Sequence, residues 1–294
     1  MKQTQGIAAP VLAIVLGMVS IQVGAAIAQG LFVKVGPAGA VALRTGLAAL
    51  ILFAVNRPSP RLDRAALLAV APYGAALGLM NLLFFAALQR IPQGVAVAAE
   101  FTGPLILAGA SGRSWRDLIW LVLAAAGVAL LAPIGQGGAA DPVGLLFALA
   151  AGGCWAAYIQ FGQRASRLGA GAATTWGMAL AALLAMPFGV AQAGTRLVDL
   201  AVLPAALAVA VLSSALPYSL EMYGLARLPK VTFSTLMSLE PAIAAAAGAL
   251  FLRQNLTARQ ALAIGCVMVA SLGAGLTFAH RQTRGDLPPT FGLD

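Results

Sequence analysis

Runs of about 20 apolar residues follow one another along almost the whole chain, and this pattern limits what the chain can fold into. Of the 294 residues, 61% are hydrophobic and only 9% are charged. A helix needs ~20 apolar residues to cross the hydrocarbon core of a bilayer. The sequence therefore predicts an all-α polytopic membrane protein rather than a soluble one.

Ten transmembrane helices are expected, separated by short loops that carry Pro, Gly, Arg and Asp. The predicted segments are residues 8–30, 37–55, 65–88, 94–112, 117–133, 143–163, 172–192, 200–223, 231–252 and 258–279. The first run, which ends near Ala26-Ile27-Ala28, also looks like a signal peptide with a small-residue cleavage site. Its apolar stretch is longer than such peptides usually have, so we expect it to be retained as a helix.

The basic residues predict which side of the membrane each loop faces. If the amino terminus is cytoplasmic, the inside loops and ends hold twelve of them. These are Lys2, Arg57, Arg61, Arg64, Arg113, Arg116, Arg164, Arg167, Arg227, Lys230, Arg281 and Arg284. The outside loops hold only Lys34, Arg90, Arg196, Arg253 and Arg259. By the positive-inside rule, both termini are cytoplasmic. Because the charges are scattered singly rather than clustered, no nucleic-acid partner is expected.

The two halves of the chain resemble each other. Residues 88–92 resemble residues 225–229, and Gly103-Pro104 resembles Glu240-Pro241, both at an offset of 137. Five helices per half would place the second copy in the bilayer upside down, as in transporters built from inverted repeats. We therefore expect a first five-helix repeat over 1–136, a second over 137–280, and a cytoplasmic tail over 281–294.

All three glutamates lie inside apolar segments: Glu100, Glu221 and Glu240. A central acidic residue costs roughly 2.5 to 3.5 kcal/mol on insertion scales, so one kept there usually marks an ion or substrate pathway. The alternative is a structural ion pair or a side chain that reaches the interface. Glu240 lies nearest the midplane, and we expect it to be the group that exchanges protons.

Other polar and aromatic side chains follow the faces of the predicted helices. We expect Asn81, Tyr218, Gln22, Trp155 and Tyr158 to line a cavity, because an amide facing lipid would have no hydrogen-bond partner. Packing in the core is the alternative for the aromatic residues.

Arg44 lies within the second segment at about the same depth as Glu100. Equal depth favours either a structural ion pair between them or a role for Arg44 in attracting a substrate carboxylate.

No cofactor or metal site is expected. Cys154 and Cys266 lie in the middle of apolar segments without metal-like spacing, and the single histidine, His280, lies at a segment end.

Three stretches resemble a known group of transporters. Met80-Asn81 with 100–104, residues 213–222, and residues 236–242 are similar to the drug/metabolite transporter superfamily (EamA type). Within it they resemble bacterial inner-membrane exporters of small amino acids. One difference is that the family often carries Gly-Glu where this chain has Arg253-Gln254.

The resemblance implies ten helices in two inverted halves, a central cavity, and export of small hydrophilic amino acids, with threonine and homoserine expected first. The proton gradient is the expected driving force, through antiport of protons. The chain is expected to be a monomer or a homodimer. Export of other metabolites or cationic drugs is the alternative in the same class. An intramembrane enzyme is the alternative of another class, but it needs a nucleophile paired with a base or a metal, which the sequence does not offer.

The charge bias generates a direct test of the orientation. Reporter fusions after Arg64, Arg116 and Arg167 are expected to report the cytoplasm, and fusions near Lys34 and Asp141 the outside. The measurement is the activity of paired reporters that work on opposite sides of the membrane. A cytoplasmic signal at Asp141 would contradict the inverted repeat, because that loop joins the two halves.

Overall fold

A computed structural model of this protein describes residues 8–59, 61–111, 115–131, 141–217, 220, 224, 227–228 and 230–284. Within these ranges the regular structure is helical and no strand occurs, as the sequence predicts. The helices are α1 (Ala8–Asn56), α2 (Arg64–Leu88), α3 (Gln93–Glu100), α4 (Thr102–Ser111), α5 (Trp115–Leu131), α6 (Pro142–Ala165), α7 (Ala170–Ala193), α8 (Leu203–Ala210), α9 (Lys230–Met237), α10 (Glu240–Leu252) and α11 (Ala258–Arg284).

Five of the helical stretches are long and apolar enough to cross a membrane: Ala8–Asn56, Arg64–Leu88, Pro142–Gly162, Gly171–Val198 and Ala258–Thr277. Four further apolar helices are shorter: Gln93–Leu107, Leu118–Leu131, Leu203–Ala215 and Glu240–Leu252. The protein is therefore an all-helical membrane protein.

The longest helix, α1, consists of two arms that meet at a kink. Gly36 has a φ of 69° and a ψ of 171°, a backbone conformation that glycine adopts at little cost. Pro37 follows it and has no N–H to donate. The N–H of Ala38, at the start of the second arm, donates to Oε1 of Gln192 at 2.8 Å. The first arm (residues 8–35) continues past the predicted end at residue 30, and the second arm (residues 37–56) matches its prediction.

Two predicted segments are each divided into two shorter helices. Segment 94–112 divides at Phe101 into α3 and α4, and segment 231–252 divides at residues 238–239 into α9 and α10. A proline explains each break. Pro104 has no N–H for the carbonyl of Glu100, and Pro241 has none for the carbonyl of Met237. Consequently Glu100 ends one helix and Glu240 begins another.

The end of α8 widens into a π-helical turn. Residues Val211–Ala215 form this turn, and the N–H of Leu216 donates to the carbonyl of Val211, five residues back. Such turns are rare, and they occur frequently at functional sites. Here the turn directs carbonyl groups toward α1, because the carbonyl of Leu212 accepts a hydrogen bond from Oγ of Ser20 at 2.7 Å.

Glycines bring neighbouring helices together at close range. A Cβ at Gly103 of α4 would collide with the backbone of Gly152 on α6. Gly74 and Gly78 of α2 lie against α7, where a Cβ would meet the carbonyls of Gly177 and Ala181. The small residues on this face of α2 therefore let the two helices approach closely.

An exposed ion pair lies where α2 turns into α3. Nη1 of Arg90 is 3.1 Å from Oδ2 of Asp141, the residue that caps the amino-terminal end of α6. The hydrogen bond from the N–H of Gly144 lowers the pKa of the Asp141 carboxyl; desolvation opposes this shift, while the N–H of Val143 and the Arg90 guanidinium reinforce it. We refer to this side of the bundle as the Asp141 end.

The end of α10 suggests a stabilising substitution. Arg253 has a φ of 54°, and the N–H of Gln254 donates to the carbonyl of Gly248 at 3.1 Å, a pattern that favours glycine at this position. The left-handed conformation costs a residue with a Cβ roughly 1–2 kcal/mol, which part of glycine's extra chain entropy offsets. Arg253→Gly is therefore expected to raise the free energy of unfolding by about 1 kcal/mol.

The measurement is thermal unfolding of the purified protein in detergent, with Arg253→Ala as the matched control. The alanine variant loses the same exposed charge but keeps a Cβ. If both variants are stabilised equally, relief of backbone strain at residue 253 is not the cause of the stabilisation.

Candidate functional site

A cavity of about 170 Å³ lies among the helices. Its wall combines charged, amide, hydroxyl, aromatic and aliphatic side chains. The lining residues are Ile21, Gln22, Ala25, Arg44, Met80, Asn81, Phe84, Phe85, Val97, Glu100, Trp155, Tyr158, Ser213, Met237 and Glu240.

The structure brings most of the predicted site residues to this one cavity. The seven that line it are Glu240, Glu100, Asn81, Gln22, Trp155, Tyr158 and Arg44. The other two, Tyr218 and Glu221, lie outside the described residues. Both arms of α1 and helices α2, α3, α6, α9 and α10 contribute to the wall, together with the π turn.

Arg44, on the second arm of α1, is held by neutral acceptors. Its Nη1 donates to Oδ1 of Asn81 at 2.5 Å, and its Nη2 donates to the carbonyl of Ser213 at 2.9 Å. Its Nε is 3.4 Å from Oγ of Ser214, and the guanidinium carbon lies 5.6 Å from the ring centre of Phe85. The planar guanidinium is thus fixed from several directions.

The expected direct ion pair between Arg44 and Glu100 is not among the ion pairs formed by the described residues. The described pair is Arg90 with Asp141. Arg44 instead points toward Asn81 and the π turn. Equal depth along two helices indicates how far two residues lie in the membrane, but not the direction of their side chains. It remains within electrostatic range of Glu100, as does Glu240.

Asn81 is positioned by its own helix. Its Nδ2 donates to the carbonyl of Leu77, one turn earlier on α2, at 2.8 Å. This bond leaves the amide oxygen directed at Arg44, so Asn81 orients the guanidinium.

The two glutamates lie at helix breaks and are both buried, each 8% exposed. Oε1 of Glu240 accepts a hydrogen bond from Nε2 of Gln22 at 3.1 Å. Because a helix end leaves backbone groups without helical partners, these positions offer polar backbone as well as carboxylates. The cavity therefore presents two carboxyl groups and one guanidinium group to a ligand.

Aromatic rings form one side of the cavity. Trp155 packs edge-to-face on Phe101, with ring centres 4.9 Å apart. Tyr158 stacks on Tyr73 at 4.9 Å, and their hydroxyl oxygens are 3.3 Å apart. Phe101 lies at the α3–α4 break, so the same break places Glu100 and supports Trp155.

Ser213 was not singled out from the sequence as a site residue. It sits in the π turn, where its carbonyl accepts from Arg44, and its side chain is buried with no hydrogen-bond partner for Oγ among the described residues. The sequence contains the Ser213-Ser214 pair, but no residue pattern in it predicts the π turn that directs this pair toward Arg44.

A helical membrane bundle with an internal charged cavity beside broken helices is typical of secondary transporters. Comparison with known proteins agrees. Residues 142–276 match the EamA-like transporter family. The threonine/homoserine exporter RhtA of Escherichia coli (strain K12) is 47% identical over 270 residues, which are 91% of this chain and 92% of the relative. The exporter of the same name from Salmonella typhimurium (strain LT2) is 48% identical over the same shares.

The chain belongs to the EamA-like transporter family, and it is a transporter rather than an enzyme. A solved structure, described only as the crystal structure of a protein, superposes with a TM-score of 0.57 at 17% identity. The match covers 92% of this chain and 98% of that one. At this identity the likeness concerns the fold alone.

Proposed function

We propose that this protein is a secondary exporter of threonine and homoserine in a bacterial inner membrane. The observation that carries the proposal is a single cavity lined by Arg44, Glu100 and Glu240, in a chain nearly half identical to named threonine/homoserine exporters along almost its full length. A free amino acid carries one negative and one positive group, and this cavity offers the complement of both.

Arg44 is the proposed partner of the substrate carboxylate. A guanidinium binds carboxylates with paired, charge-assisted hydrogen bonds when its plane is fixed. Asn81 and the π turn fix it here. Ser213 and Ser214 lie beside it and supply hydroxyl groups suited to a hydroxylated side chain.

Glu240 is the proposed partner of the substrate ammonium and of the transported proton. A buried carboxylate is costly without a positive partner, so either an ammonium or a proton stabilises it. The two compete for the same oxygen atoms. This competition is the simplest form of antiport, because release of the amino acid allows protonation and deprotonation allows the next amino acid to bind.

The size of the cavity favours a small substrate. Pockets for drug-sized ligands measure roughly 300–1,000 Å³. The cavity of about 170 Å³ is smaller. Its size therefore supports amino-acid export over the alternative of cationic drugs.

The proposed architecture is ten membrane helices in two inverted repeats, 1–136 and 137–280, with both termini and the tail 281–294 cytoplasmic. The kink in α1 supports two crossings in that stretch. The break at residue 101 and the first residue of the break at 238–239 lie at the same offset of 137 that relates Pro104 to Pro241. Corresponding broken helices are expected in the two halves of such transporters.

The test is export from proteoliposomes that contain the purified protein and labelled threonine or homoserine. When the outside is made acidic, both amino acids are expected to leave faster than without a pH gradient. Glu240→Gln keeps the size and the hydrogen-bonding capacity of the side chain but removes the exchangeable proton. It is expected to insert normally and to lose the acceleration by the gradient.

Glu100→Gln is the matched control, because it changes the same kind of side chain in the same cavity. It is expected to keep the response to the gradient. Full gradient-driven export by Glu240→Gln would contradict the assignment of that residue. Failure of both amino acids to move, together with transport of cationic dyes, would replace the proposal with drug export.

A further inference from the structure

Four glutamines form a continuous line from the cavity to the Asp141 end of the bundle. Gln22 and Gln29 lie two turns apart on the first arm of α1, Gln93 begins α3, and Gln254 follows α10. We call these four side chains the amide chain.

The hydrogen bonds of the amide chain all run in one direction. Nε2 of Gln254 donates to Oε1 of Gln29 at 3.4 Å, and Nε2 of Gln29 donates to Oε1 of Gln93 at 3.0 Å. Nε2 of Gln93 donates to Oε1 of Gln22 at 2.8 Å. Nε2 of Gln22 then donates to Oε1 of Glu240. Each amide after Gln254 accepts from one neighbour and donates to the next, and the last acceptor is a carboxyl group in the cavity.

The same side chains also bond to backbone groups of two separate elements, α1 and α3. Nε2 of Gln93 donates to the carbonyl of Gln22 at 2.9 Å, and Oε1 of Gln254 accepts from the N–H of Gln93 at 2.9 Å. A Cβ at Gly94 would meet Ala245 of α10, so α3 and α10 are in close contact beside these bonds. The amide chain therefore joins α1, α3 and the loop after α10 at one place.

Exposure changes along the amide chain in the direction that a closure requires. Gln22 lines the cavity, Gln93 is 0% exposed, and Gln254 is partly exposed. Buried amides keep their hydrogen bonds, so the intact chain leaves no unpaired amide group for water to bind. If one link is lost, its neighbours are left with unsatisfied polar groups, and such groups attract water.

We infer that the amide chain is the seal that closes the cavity at the Asp141 end, and that the bond from Gln22 to Glu240 links this seal to what occupies the cavity. Hydrogen bonds in a line strengthen one another, and a bond to a charged acceptor is the strongest of them. A proton on Glu240 removes that charge, and a bound ammonium group compensates it, so either one weakens the whole line. The identity of the occupant rests on the proposed function, whereas the seal does not.

The test measures access to the cavity and uses no substrate. Ala25→Cys, on the cavity wall, is placed in a background that carries Cys154→Ala and Cys266→Ala. A small membrane-impermeant methanethiosulfonate is added to membrane vesicles of each orientation. Asn255→Cys in the same background identifies the preparation that exposes the Asp141 end. From that side, Gln93→Leu is expected to raise the labelling rate of the thiol introduced on the cavity wall about tenfold, because the three side-chain hydrogen bonds of Gln93 are lost.

Gln89→Leu is the matched control, since Gln89 is an exposed glutamine at the same end that is not part of the amide chain. It is expected to leave the labelling rate unchanged. Gln254→Leu changes the partly exposed end of the chain, so it provides a second reading if Gln93→Leu reduces the amount of protein in the membrane. Equal labelling rates in Gln254→Leu, Gln93→Leu and the Ala25→Cys background without either change would overturn the seal.

Glu240→Gln tests the link to the cavity in the same assay. It keeps an acceptor but removes the charge, so the labelling rate is expected to rise by less than in Gln93→Leu. No rise at all would show that the cavity and the seal are not linked through Glu240. Because no amino acid is present, these outcomes are independent of whether threonine is the substrate.

Discussion

The cost of placing ionisable groups inside an apolar helical bundle is the constraint on which this structure depends. Arg44, Glu100 and Glu240 must each find polar partners away from water. Regular helices cannot supply them, because their backbone groups are already paired. Prolines break two helices beside the glutamates, and a π turn directs the Ser213 carbonyl to Arg44. The irregular backbone occurs where the charged groups need it.

In our account, this arrangement lets the same cavity both bind and release a zwitterion. Charges held by neutral partners are compensated well enough to be stable, but an oppositely charged ligand still improves their surroundings. Arg44 and the two glutamates line one cavity, which in our account suits a molecule with both a carboxylate and an ammonium group. In our account, the charge on Glu240 then determines the strength of the amide chain, and so how firmly the cavity is closed at the Asp141 end.

Hydropathy, the cost of buried charge and the polar faces of the predicted helices were enough to predict the helical class and seven of the residues that line the cavity. Gln22, Asn81 and Glu240 stand out because amides and carboxylates are rare in apolar segments. The helix breaks were harder to predict, since proline residues also occur inside continuous helices here, such as Pro72 in α2 and Pro187 in α7. Tertiary packing decides between a bend and a break.

Hydrogen-bond partners that lie far apart in the sequence could not be predicted from the sequence alone. An ion pair of Arg44 with Glu100 was one of two alternatives that equal depth suggested, but the side chain of Arg44 turns toward Asn81. Gln93 and Gln254 lie at segment ends, where glutamine is unremarkable, and only the fold brings them together with Gln22 and Gln29. Tyr218 and Glu221 stay predictions.

Binding of modified threonines to the purified protein tests the central claim, that Arg44 and a glutamate recognise the two charges of one ligand. Threonine amide lacks the carboxylate, and N-acetylthreonine lacks the ammonium. A hydrogen bond to a charged group contributes about 1.5–3 kcal/mol, so each analogue is expected to bind more than about tenfold more weakly than threonine. Asn81→Asp places a competing carboxylate beside Arg44, and it should abolish the preference for threonine over its amide. Equal affinity for threonine and both analogues would contradict the account.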